Sequence, residues 1–151
     1  MPTNCDIIKL APTITAGAYS DGDVLGGEMT MSGLPYKRFF LQSLTVIDDA
    51  QQNAGLRVVF YDNNPTTPAD NAAYSLAAGD VDNVLYAVDI ASGDYKTVGS
   101  LYSIATISNL ALPVIITSAD TTWLRVVAYI NGSTPTYTAT SDIVFKVGIA
   151  T

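Results

Sequence analysis

Between residues 55 and 62 the chain alternates strictly, with Leu56, Val58 and Phe60 on one side and Arg57, Val59 and Tyr61 on the other. The same period of two runs through 122–131, where Leu124, Val126, Ala128 and Ile130 oppose Trp123, Arg125, Val127 and Tyr129. It returns in 142–149, with Ile143, Phe145, Val147 and Ile149 against Asp142, Val144, Lys146 and Gly148. Such alternation predicts strands with one face in a core and the other half wet. Shorter runs rich in Val, Ile, Thr, Tyr and Phe predict further strands near 7–10, 23–31, 37–47, 84–91, 94–98, 100–108 and 113–117. Ser92-Gly93-Asp94 and Asn131-Gly132-Ser133 read as tight hairpin turns. So many short strands in 151 residues cannot bury their faces in one open sheet. The expected fold is all-β, two packed sheets forming a β-sandwich or jelly roll, with a closed barrel as the alternative.

Two stretches depart from the pattern. Residues 63–83 read NNPTTPADNAAYSLAAGDVDN, a long loop between strands with one or two helical turns. Asp70 or Asn71 would cap a turn over Ala72–Leu76, Gly79 would end it, and Asp80 would cap another. Residues 1–17 form either a first edge strand or an arm lying on a neighbouring subunit, and 18–151 a single β-sandwich domain. Ile7, Ile8 and Leu10, together with Tyr36, are the candidate contacts with a neighbour.

Composition narrows the functions open to this fold. Hydrophobic residues are 48% and charged residues only 14%, so the chain folds and leaves much neutral surface for partners to cover. The net charge of −7 serves solubility or complementarity to a basic partner. Basic residues stand singly apart from Lys37-Arg38, which speaks against binding nucleic acid or an anionic membrane. No apolar run is long enough for a membrane-spanning helix. With the single Cys5 and no basic-then-apolar leader, the expectation is synthesis in a reducing cytoplasm.

Histidine is absent, removing the commonest general base and metal ligand. Thirteen of the fourteen carboxylates are Asp, and most sit beside Gly, Asn or Ser, where their side chains bond the local backbone in turns. Asp21-Gly22-Asp23 and Asp62-Asn63-Asn64 resemble calcium loops but lack the ladder of oxygens that ends in Glu. Asp48-Asp49 with Gln51-Gln52-Asn53 is polar enough to join a shared site. Neither an enzyme nor a cofactor is expected. Tyr61, Tyr86, Tyr129 and Trp123 fall within alternating strands, where a core or intersheet role is expected over glycan stacking.

Laid in order, several elements resemble small structural virion proteins of tailed bacteriophages. They are Ala18–Gly27 (AYSDGDVLGG), Leu44–Asp49 (LTVIDD), Gln52–Leu56 (QNAGL), Val59–Thr66 (VFYDNNPT) and Gly79-Asp80 before a strand. The resemblance covers roughly residues 18–90 well, and the C-terminal third only in general character. It implies a head protein that decorates or cements a capsid, often as a homotrimer, with the major capsid protein or another virion protein as partner. The alternative is a carbohydrate- or receptor-binding module of a tail or appendage. Location in the virion follows from either reading. The resemblance carries no catalytic residues.

Overall fold

The computed structural model describes residues 4–34, 36–117 and 123–151. Ten strands follow one another: β1 (Cys5–Leu10), β2 (Val24–Met31), β3 (Arg38–Asp48), β4 (Leu56–Tyr61), β5 (Val84–Ile90), β6 (Tyr95–Val98), β7 (Tyr102–Ile107), β8 (Leu112–Ile115), β9 (Leu124–Ile130) and β10 (Ile143–Ala150). The larger sheet has six strands in the order β1-β10-β3-β7-β6, with β8 also paired to β3; the smaller has the order β2-β9-β4-β5. All pairings are antiparallel.

The order explains itself as a long folded-back ribbon. β4 pairs with β5 and β9, β2 pairs with β9, β3 pairs with β7 and β8, and β1 pairs with β10. The two halves of the chain thus meet strand by strand, and successive pairs wrap alternately into the two sheets. That is a jelly roll, and it fits the expected two-sheet sandwich.

The same wrapping corrects both turn assignments. Ser92–Asp94 is a short 3-10 turn, closed where Asp94 Oδ2 accepts from the Ala91 N–H at 2.8 Å. It joins β5 of one sheet to β6 of the other, so it is a corner and not a hairpin. Asn131-Gly132-Ser133 likewise leaves β9 for β10 in the opposite sheet. Turn chemistry specifies a reversal of direction, but not which sheet receives the next strand.

The core lies between the sheets. Leu56, Val58 and Phe60 from β4 meet Leu124, Val126, Ala128 and Ile130 from β9 and Ile143, Phe145, Val147 and Ile149 from β10. Each of these inward sets is the one its alternation predicts; Thr122, the first residue of the expected 122–131 strand, lies outside the described residues. Gly55, buried just before β4, shows how tight the join is. A Cβ there would run into the carbonyl oxygen of Asn131, whose N–H donates to Gly55 O at 2.9 Å. Neither backbone can retreat, so Gly55→Ala is expected to cost about 1–3 kcal/mol, read as a lower urea midpoint.

The excursion 62–83 departs from expectation. No helix forms over Ala72–Leu76; Asn71 N donates to Val24 O, Val24 N to Ala72 O and Tyr74 N to Gly22 O, each at 2.8 Å. Backbone that pairs with the start of β2 is not free to coil. Asp70 caps nothing: its carboxylate accepts from Thr15 Oγ1 at 2.6 Å, Tyr19 OH at 2.7 Å and Gly26 N at 2.6 Å. Burial, together with the Asp70 carboxylate, holds the Tyr19 phenol proton well above its ordinary range. The one helical turn here is a 3-10 turn over Ala78–Asn83, entered from Ala77, with Gly79 inside it and Asp80 accepting from Thr66 N at 2.7 Å.

This excursion covers the outer face of the smaller sheet. Tyr74 stacks on Tyr129 with ring centroids 4.4 Å apart and hydrogen-bonds the Tyr61 hydroxyl. Val24, Val59, Tyr61 and Val127 are buried beneath as a second, smaller core. The outward positions of β4 and β9 are therefore largely dry, because a loop the alternation could not anticipate lies over them. Tyr61 and Tyr129 belong to this outer layer, not to the space between the sheets.

Candidate interaction face

The larger sheet has no such cover among the described residues. Among the described residues no strand or helical turn packs on its outer face. Its outward positions follow from register and burial. On β1 they are Cys5, Ile7 and Lys9, opposite Ala150, Gly148 and Lys146 of β10. Across β3, Ala150 meets Phe40 and Lys146 meets Thr45, with the register shifting by one residue between Gly148 and Ile149. Beyond β3, Phe40 meets Pro113 and Arg38 meets Ile115 on β8.

An antiparallel sheet facing water ordinarily carries polar residues on that side. Here Ile7 is 74% exposed, Ile115 52% and Phe40 46%, and Val98 and Tyr102 of the β6–β7 hairpin are half exposed as well. Phe40, Pro113, Ile115 and Thr151 line a shallow apolar depression, and Tyr36, Arg38 and Thr151 line a second beside it. Exposed apolar surface of this kind marks contact with another molecule more often than with water.

The charges on this face are equally one-sided. Lys9, Arg38, Lys96 and Lys146 point outward and are exposed. The six strands contain only two carboxylates, the buried Asp48 and Asp6, which is exposed at the sheet edge but alternates with the outward Cys5 and Ile7. On the smaller sheet, by contrast, cations are matched internally. Arg57 holds Asp89 by a two-pronged contact at 2.6 and 2.8 Å, which lowers the Asp89 pKa. Arg125 reaches Glu28 at 3.0 Å and lies 4.1 Å above the Trp123 ring. That guanidinium occupies a face a sugar would need.

The structure separates the candidate contact residues. Ile7 lies on the open face, and Tyr36 beside it, its hydroxyl accepting from Asn4 Nδ2 at 3.4 Å. Leu10 is buried in the core and Ile8 packs against it. Residues 5–10 pair with β10 along their whole length, while residues 1–3 lie outside the described residues. Phe40, Ile115 and Pro113 escaped the sequence reading, because Phe39-Phe40-Leu41 is apolar without a break and only the burial pattern shows which side each residue takes.

Several other carboxylates hold the backbone N–H groups of turns and corners. Asp142 Oδ2 accepts from the Thr138 and Ala139 N–H groups at 2.8 Å, and Asp21 Oδ1 from Gly132 N at 2.7 Å. Asp48, fully buried, accepts from Ala50 N at 3.0 Å and Asn53 N at 2.8 Å. Burial raises its pKa against the pull of those N–H groups. It holds its own turn and joins no shared site with Asp49, which points to solvent. Among the described residues no group of three or more His, Cys, Asp or Glu is placed to hold a metal ion.

Compared with known protein families the chain matches none, and no curated protein matches it. Solved virus structures share its overall shape at low scores. It is similar to a chain of the Tomato aspermy virus X-ray structure, with 11% identity, 97% of this chain and 75% of that one covered, and a TM-score of 0.40. For Desmodium yellow mottle tymovirus the values are 11%, 100%, 83% and 0.29, and for the native virion of Kashmir bee virus 10%, 96%, 67% and 0.28. None of these three is a tailed bacteriophage. At such scores the likeness carries no weight for function. The fold rests on the strand order, and the function on the open face.

Proposed function

We propose that this chain is a structural virion protein that decorates or cements a capsid, docking through the outer face of its larger sheet. One observation carries the reading. Among the described residues, the chain covers the outer face of one sheet with its own excursion and leaves the other uncovered, with exposed apolar side chains and cations on it and no outward carboxylate in its strands. A protein that works alone in water would have little use for that asymmetry; a protein seated on a shell needs it. The resemblance in residues 18–90 supports a tailed-phage particle, the homotrimer and the capsid protein as partner. Many symmetric copies would let modest single contacts add up.

The test mixes the purified protein with shells assembled without it. Co-sedimentation that saturates, with a rise in the temperature at which the shell opens, is the expected result. Shells that neither bind it nor gain heat stability would remove the cementing role.

A further inference from the structure

We infer that the partner surface this face takes is an acidic protein surface, reversing the complementarity that the net charge suggests. The inference rests on the docking reading above and adds the partner's chemistry. Lys9, Arg38, Lys96 and Lys146 make no ion pair among the described residues. Two of them, Lys9 and Lys146, stand directly opposite each other on adjacent strands. Like charges in that position weaken a sheet, so folding alone favours one of them being neutral or acidic. Carboxylates from a partner seated over the pair would turn this repulsion into a shared attraction.

The other polyanions fit less well. A nucleic-acid backbone is met by clustered cations that displace its counterions, whereas here single cations alternate with Ile7, Phe40 and Ile115. A second copy packed face to face would bury two sets of cations together with no outward strand carboxylate to match them, because a two-fold contact uses the same patch on both subunits. A partner offering carboxylates around an apolar centre satisfies both halves of the face, with charge steering the encounter and apolar contact holding it.

The experiment measures binding to shells assembled without this protein, for wild type, Lys146→Glu, and the triple variant Lys9→Glu/Arg38→Glu/Lys146→Glu. Raising NaCl from about 0.05 to about 0.5 M is expected to weaken wild-type binding roughly tenfold, because the Debye length shrinks below the contact spacing. Lys146→Glu is expected to weaken binding about tenfold, and the triple change about a hundredfold or more. Lys146→Glu should at the same time unfold at an equal or higher urea concentration, since a cross-strand repulsion becomes an attraction. That opposition between binding and stability is what a merely structural lysine would not show. Wild-type binding that ignores both salt and charge reversal overturns the acidic partner and leaves the docking reading standing; no wild-type binding at all defeats the docking reading itself. Two side measurements serve as further checks, a gel shift with single-stranded RNA and sedimentation equilibrium of the protein alone. RNA binding or self-association that the triple variant abolishes would assign the face to that occupant and overturn the inference.

Discussion

Asp70→Ala is expected to destabilise the protein by about 3–5 kcal/mol, the loss of several charge-assisted hydrogen bonds at a partly buried site. The carboxylate ties three segments together, receiving Thr15 and Gly26 at 2.6 Å and Tyr19 at 2.7 Å. Truncation leaves the Gly26 N–H and the Tyr19 hydroxyl without their acceptor inside the fold. It also releases the excursion whose Tyr74 covers Tyr61 and Tyr129. Asp70→Asn, with one carbonyl oxygen in place of two acceptors, should fall between. Asp82→Ala, at an exposed position of the same excursion, should stay within about 0.5 kcal/mol. Urea unfolding measures all three. An Asp70→Ala variant as stable as Asp82→Ala would show that the excursion holds itself in place without the carboxylate.

Phe145→Ala and Phe40→Ala should separate the two sides of the larger sheet. Phe145 is fully buried at the centre of β10, and its removal leaves a cavity lined by both sheets; the expected loss is about 3–5 kcal/mol. Phe40 stands on the neighbouring strand facing outward and nearly half exposed, so its truncation should cost about 1 kcal/mol or less. Binding to the shell should show the reverse order in a Phe145 variant that still folds, such as Phe145→Leu. That variant should bind as wild type does, while Phe40→Ala binds several-fold more weakly. Equal unfolding costs for Phe145→Ala and Phe40→Ala would mean that the outer face is also a packed interior.

What could be read from the sequence follows from which forces are local. The strands were legible because burial of one face imposes a period of two. Leu56-Arg57-Val58-Val59-Phe60-Tyr61 and Ile143–Ala150 carry it plainly, and their inward sets form the core. The sheet to which each strand belongs was not legible. Ser92–Asp94 looks the same whether the chain reverses within a sheet or crosses to the other. The excursion misled for a related reason. Asp70 and Asn71 have the chemistry of helix caps, but Asp70's partners lie 44 to 55 residues away in sequence, and a window of helical length cannot see them. The open face was half legible. Ile7 and Tyr36 were named as candidate contacts alongside Ile8 and Leu10, which pack inward, and the gathering of Phe40, Pro113 and Ile115 beside Arg38 depends on the pairing of β3 with β8. Net charge says nothing about this face, because a sum over the chain hides where the carboxylates sit.

Cys5 offers the most direct test of whether the bare sheet face is the docking face. It is a free, exposed thiol on the outward side of β1, aligned with Ile7 and Lys9. Its rate of alkylation is compared in the free protein and on the shell, alongside a Cys5→Ser/Leu76→Cys variant that reports on the excursion side. On the shell, Cys5 should be protected about tenfold or more, while a thiol at position 76 reacts as fast as in the free protein. A position-76 thiol protected on the shell with Cys5 still reactive would place the contact on the covered sheet and contradict the account.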